Sequence, residues 1–223
     1  MKFNQWLTTL GICFVIFVGL SFQPALAQID RHYGDGSDGD LTVTSTTYTD
    51  SIKTTVSGTN SSGQNTLTVV SSSGFEAGDE ILIISSLGSS AGKYETQRVA
   101  LIEGARFTFH TNLNHSYDNS SDAVHQVIRV PQYETVTINS GSLTCADWNG
   151  TNGGVVFFRA NDEVIINSGT INADYKGYRG GQYTSGQDSP RHSGEGTMGQ
   201  KSETSRTRGE ALSNGGGTPH YYA

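Results

Sequence analysis

The feature that most constrains this chain is a pattern that occurs twice. Val136-Thr137-Ile138-Asn139-Ser140-Gly141-Ser142-Leu143-Thr144-Cys145 returns about 28 residues later as Val164-Ile165-Ile166-Asn167-Ser168-Gly169-Thr170-Ile171-Asn172-Ala173. Each copy reads as a short strand, an Asn-Ser-Gly turn and a second strand, with apolar residues at every second position. One such unit cannot bury its apolar face alone, so a repeat of this length implies stacking on a neighbour. The expectation is a coil of a parallel β-helix. Val136, Ile138, Leu143 and Cys145 then face inward beneath Val164, Ile166, Ile171 and Ala173, and Gly153 to Ala160 supplies a third strand. Asn139 and Asn167 meet at one corner, where their amides bond to each other. The alternative is two unrelated hairpins that share common turn residues.

The first residues read as an export signal over 1–27. Lys2 precedes an apolar core from Leu10 to Leu20, and Ala25-Leu26-Ala27 forms a small-residue cleavage site before Gln28. The core is short for a bilayer span, so no membrane segment is expected once the signal is removed. Cys13 leaves with the signal, which makes Cys145 the only cysteine of the mature chain and excludes an intramolecular disulfide. Cys145 is expected to act as a small buried hydrophobe. The formal charge of −7 carries no basic stripe, which counts against a nucleic-acid partner.

Taken in order, residues 28–64 read as a polar leader and first strand or strands, including Leu41 to Thr44. Asp35, Asp38 and Asp40, interleaved with glycines, form a weak Ca²⁺ candidate. Their spacing departs from the EF-hand loop, and a solvated Gly-Asp turn is the competing reading. Residues 65–130 read as a small barrel-like β module of five short strands separated by glycine turns. Its Gly74-Phe75 and Gly78-Asp79 turn, followed by an apolar strand, resembles a module of phage tail and bacterial β-helical proteins. Pro131 interrupts a sheet ladder and marks a boundary. Residues 131–181 hold the coils, and 182–223 form a Gly/Ser-rich irregular tail too poor in aliphatics to fold alone. With no capping element in that tail, the chain is expected to continue in further coils or to pair with a partner.

The segments Trp148 to Val156, Gly169 to Ala173 and Lys176 to Gly181 resemble a pattern of secreted bacterial β-helical, glycine-rich surface proteins of adhesin type. Members usually follow the Arg-Gly-Gly element with long polyglycine, whereas here only Gly215-Gly216-Gly217 appears. The resemblance implies an exported, non-catalytic surface role.

For chemistry, Asp147, Asp162, Glu163, Asp174, Lys176 and Arg179 are the charged residues that a carbohydrate-active β-helical enzyme, a lyase or hydrolase, would gather on one face. Asp147 and Asp174 follow the second strand of their units and are expected one layer apart, about 4.8 Å. Turn chemistry explains the same aspartates. His110 and His115 flank a turn where a shared metal competes with plain surface exposure. No serine sits in a Gly-x-Ser-x-Gly elbow that also follows a strand and opens a helix, and no Walker loop or dinucleotide fingerprint is present. Trp148, Tyr175, Tyr178 and Tyr183 cluster after the second strands, where flat rings beside Asn and Asp would stack on a sugar face and bond its hydroxyls, while core packing or loop anchoring accounts for Trp148 equally well.

The combined expectation is an all-β protein. A small barrel-like module leads into the first coils of a parallel β-helix and then an irregular tail. Its role would be an exported, adhesin-like surface or cell-envelope protein that binds a surface glycan, with self-association through exposed strand edges. The carbohydrate-active enzyme is the competing class. Trp148, Asp147, Asp174, Tyr175, Tyr178 and Arg179 are the ligand-binding candidates.

Overall fold

A computed structural model describes residues 33–118 and 123–178, together with the backbone of 191–192 and 202–203. The segment read as an export signal, Arg179, Tyr183 and most of the tail read over 182–223 lie outside the described residues.

Every regular element among the described residues is a strand. In chain order these begin with β1 (Leu41–Val43), β2 (Thr47–Tyr48), β3 (Lys53–Thr55), β4 (Thr59–Asn60), β5 (Thr66–Thr68), β6 (Glu80–Leu87), β7 (Tyr94–Glu103), β8 (Arg106–Phe109) and β9 (Tyr117–Asp118). They continue with β10 (Val124–Arg129), β11 (Gln132–Tyr133), β12 (Val136–Ile138), β13 (Ser142–Thr144), β14 (Arg159–Ala160), β15 (Val164–Ile166), β16 (Thr170–Ile171), β17 (Arg191–His192) and β18 (Ser202–Glu203).

The repeated units lie on one another in register. β12 pairs parallel with β15, Val136 against Val164 and Ile138 against Ile166. β13 pairs parallel with β16, Leu143 against Ile171. At the corner between them the Asn167 side-chain amide donates to the Asn139 carbonyl oxygen at 2.8 Å. This is the stacked pair that the repeat implies.

A third layer lies beneath, drawn from the segment read as leader. β1 pairs parallel with β12, Leu41 against Val136 and Val43 against Ile138. β2 pairs parallel with β13, Thr47 against Leu143. Val43, Val136, Ile138, Leu143 and Cys145 are fully buried, as alternation on a two-residue period requires. Burying one such aliphatic side chain contributes about 1.5–3 kcal/mol. The uppermost layer is open: Val164, Ile166 and Ile171 are 42%, 53% and 42% exposed.

The strand expected over 153–160 shrinks to β14, which pairs parallel with β11. Its earlier residues are used differently. Val155 and Phe157 pack against Leu82, Ile128 and Val130 of the second sheet rather than joining a ladder.

That second sheet has six strands in the order β3-β10-β6-β7-β8-β5. It curls until its edges meet, where Val56 and Val69 form an antiparallel bridge and the Val70 N–H donates to the Thr55 carbonyl at 2.9 Å. Its edge strand β3 comes from before residue 65, so the sheet reaches further upstream than the boundary read from sequence. The apolar run Ile81 to Ile84 belongs to a strand covered on both faces. Ile81 and Ile83 enter a core with Leu67, Phe75, Phe107 and Val127, while Leu82 turns to the stack.

Ion pairs close the seam between sheet and stack. Arg159 of β14 donates from Nε and Nη2 to Glu80 of β6 at 2.7 and 2.6 Å, and the Gln132 amide of β11 reaches the same carboxylate at 2.6 Å.

Candidate functional site

The three layers share a corner after their second strands: Tyr48 to Asp50 in the first, Cys145 to Trp148 in the second and Ala173 to Tyr178 in the third. The ladder runs into it, since the Trp148 N–H donates to the Lys176 carbonyl at 3.0 Å. The chain then doubles back tightly through Gly153 and Gly154, at φ of +100° and +76°. A Cβ on Gly153 would sit 2.3 Å from the Asp147 carbonyl oxygen, and one on Gly154 would sit 2.8 Å from that of Lys176. Only glycine permits both the left-handed backbone and this approach.

On this corner the aromatic candidates separate into support and surface. Trp148 is 6% exposed and meets Tyr178 edge to face at a centroid distance of 5.9 Å. Tyr178 in turn donates its hydroxyl to the Ser86 carbonyl of β6, which ties the corner to the second sheet. Tyr175 is fully exposed and is the one described non-glycine residue at positive φ, 61°. A tyrosine in that region costs about 1–2 kcal/mol, which the surrounding turn must offset.

The register sets Asp147 and Asp174 one residue out of step. With Leu143 against Ile171, the same offset places Asp174 over Ala146 and Tyr175 over Asp147. The Asp147 carboxylate instead accepts from the Lys176 ammonium, and this hydrogen bond holds the lysine above its ordinary pKa range. Asp174 is exposed, and its own N–H donates to the Asn172 side chain at 2.6 Å. Asp162 and Glu163 lie exposed in the turn before β15. The corner therefore presents a flat ring, two exposed carboxylates and an ammonium, groups that stack on and hydrogen-bond to a polyhydroxylated ligand.

Beneath it, Asp50 and Cys145 are fully buried. Asp50 accepts from the Ala146 N–H at 2.9 Å and pairs with Lys53 at 3.2 Å. Burial, joined by the Asp50 charge, pushes the Cys145 thiol up, in keeping with an inert core residue.

The Ca²⁺ candidate does not assemble. Asp35 pairs with Arg98 at 2.9 Å, Asp38 with Arg129 at 2.6 Å, and Asp40 accepts from the Thr135 N–H at 3.2 Å. Each carboxylate is spent on a different protein donor, and none of the described residues form a group of three or more metal-ligating side chains. His110 and His115 thus share no such group, and the His115 ring stands edge-on to Tyr117.

Sequence reasoning missed the ionic seam. Arg129 bonds Asp79 at 2.8 Å as well as Asp38, and Glu80 serves both Arg159 and Gln132. These partners are far apart in the chain, and no local spacing announces them. Tyr48 and Tyr133 were also passed over, because both sit in short strands whose layer the sequence did not reveal.

No protein-family model matches this sequence, and no curated protein matches it. Among solved structures the chain is similar to the gp54 tailspike of Acinetobacter baumannii bacteriophage AP22, solved in complex with A. baumannii capsular saccharide. That match has 16% identity and a TM-score of 0.33, over 59% of this chain and 27% of the tailspike. The tailspike gp49 of Pseudomonas phage LKA1 gives 15% identity and a TM-score of 0.29, over 43% of this chain and 21% of that one. The tailspike gp61 of Pseudomonas phage phi297 gives 12% and 0.29, over 56% and 22%. The chain thus spans about a quarter of the length of these proteins.

Proposed function

We propose that this chain is an exported, non-catalytic surface protein of adhesin type, built on the opening coils of a parallel β-helix and binding a surface glycan at the layered corner. In this reading the curled sheet, running from about Ile52 to Val130, is a module inserted after the first coil. It braces the stack through the Glu80–Arg159 pair.

The observation that carries the glycan reading is Tyr175, a fully exposed ring held at positive φ beside Asp147, Lys176 and Asp174. The turn sets where the ring leaves the backbone, and both of its faces are open for stacking. Tyr175 and Asp174 are the contact residues, Asp147 supplies a polar contact, and Trp148 with Tyr178 forms the wall behind them.

The test is a glycan array with the mature protein and its Tyr175→Ala variant. Capture of one or more glycans, reduced about tenfold or more in the variant as expected for loss of a stacking anchor, supports the reading. No capture, or equal capture by both proteins, removes it. Export is checked separately by N-terminal sequencing of the protein secreted by its native host, with Gln28 as the expected first residue.

A further inference from the structure

Where the first layer of the corner meets the curled sheet, the seam opens into a cleft of about 120 Å³. Tyr48, Ser51 and Ile52 line one part of it, and Arg129, Pro131 and Tyr133 another. It is smaller than the ~150 Å³ cavity that encloses one benzene ring, so this open cleft covers one face of a six-membered ring rather than enclosing it.

The lining is aromatic and apolar with polar groups at its margin. Tyr48 is 46% exposed, and Tyr133 is half-buried against Phe158, centroids 6.3 Å apart. Neither phenol hydroxyl makes a hydrogen bond to another described residue, whereas Ser51 is already engaged, donating to the Tyr48 carbonyl at 3.2 Å. Two tyrosines of the lining thus carry hydroxyls with donor and acceptor capacity to spare.

The charge balance selects among ligands. Arg129 is the cation of the lining, yet it is held by both Asp38 at 2.6 Å and Asp79 at 2.8 Å. Two carboxylates about one guanidinium leave the seam net negative, which repels an anionic ligand. A neutral ring with an apolar face and several hydroxyls matches both the ring surfaces and the unused phenols.

We propose that this cleft is a binding site for a neutral pyranose, the sugar lying against Tyr48 and Pro131 with its hydroxyls bonded to the phenols of Tyr48 and Tyr133. It shares Tyr48, the corner's first-layer residue, but none of Asp147, Asp174 and Tyr175, the residues proposed to touch the glycan there.

Saturation-transfer-difference NMR on the mature protein tests this, with methyl β-glucopyranoside, N-acetylglucosamine and glucuronate as probes. The expected result is transfer from a neutral sugar with a dissociation constant on the order of 1–10 mM, the range of a single small ring. Tyr133→Phe keeps the ring and removes the hydroxyl, and is expected to weaken binding about fivefold, one hydrogen bond. Tyr48→Ala is expected to abolish the transfer. Should Tyr48→Ala fail to fold, the near-isosteric Tyr133→Phe keeps the test alive. The proposal is overturned if neither neutral sugar shows transfer at about 20 mM, if Tyr133→Phe binds like the parent protein, or if glucuronate binds more tightly than both neutral sugars. Because the readout is a monosaccharide in the cleft and not array capture by the corner, either site can fail without the other.

Discussion

Gly141 holds the corner of the second layer at φ +76°, where a Cβ would stand 2.6 Å from the backbone of Ser45 in the layer below. Two penalties therefore meet at this position, the left-handed backbone and a collision with main chain that cannot rotate away. Gly141→Ala is expected to cost about 2–3 kcal/mol. Gly39→Ala, at φ +70° with nothing within 4 Å, carries the backbone penalty alone, about 1 kcal/mol. Urea denaturation of the two variants separates the contributions, and equal losses would mean that the layers do not touch at Gly141. His125 gives a second residue-scale expectation. Its Nε2–H donates to the Asp118 carbonyl at 3.1 Å, which leaves Nδ1 of the neutral ring to accept from the Ser85 hydroxyl at 2.9 Å. Burial lowers its pKa, outweighing the nearby Asp118 carbonyl and charge. The unfolded chain then binds the proton that the native state refuses. This contribution is fully present above the unfolded value of about 6.5 and is lost as the pH falls below it. Denaturation midpoints measured between about pH 7.5 and 5 should fall with acidity, and the fall should be shallower in His125→Gln.

At the scale of elements, the joint between sheet and stack depends on β6, β11 and β14. Glu80 is 7% exposed and takes hydrogen bonds from Arg159 and Gln132. Glu80→Ala leaves a partly buried guanidinium without this partner and is expected to cost about 2–3 kcal/mol. The loss should appear as faster hydrogen exchange in β12 to β16 while β7 and β8 stay protected, since the sheet keeps its own core; uniform loss would mean one cooperative unit. Which elements the sequence disclosed follows the same lines. Strands β6, β7, β8 and β10 were legible because alternation and glycine turns delimit them within a few residues. The pairing of the two Asn-Ser-Gly units was legible because each corner keeps the same residues at the same offset. Layer one was not, for its corner takes four steps from Val43 to Thr47 where layer two takes five from Ile138 to Leu143, and it has neither the asparagine nor the glycine. The strand expected over 153–160 failed for another reason. Its alternating apolar residues were real, but Val155 and Phe157 serve contact with the sheet rather than a ladder. The inner division of the corner was invisible, because composition does not reveal that Trp148 is buried while Tyr175 is exposed.

For the whole molecule, the architecture is a stack interrupted after its first layer by an entire sheet, with the chain returning from Val130 to lay β12 directly on β1. The arrangement has polarity: the lower layer is sealed at Val43, while Val164, Ile166 and Ile171 lie open at the other end. Everything proposed about the corner and the cleft presumes that these layers coincide, since Tyr48, Asp147 and Tyr175 share a face only in that register. The most direct measurement is oxidative cross-linking of Thr42→Cys with Thr137→Cys, positions paired across β1 and β12. Neighbouring strands lie about 4.8 Å apart, inside the roughly 4.4–6.8 Å Cα separation that a disulfide spans. Thr42→Cys with Ile165→Cys, two layers apart, lies beyond it. The account predicts near-complete disulfide formation in the first pair and none in the second under mild oxidation. Failure of the first pair in a folded protein, or equal cross-linking of both, would contradict it.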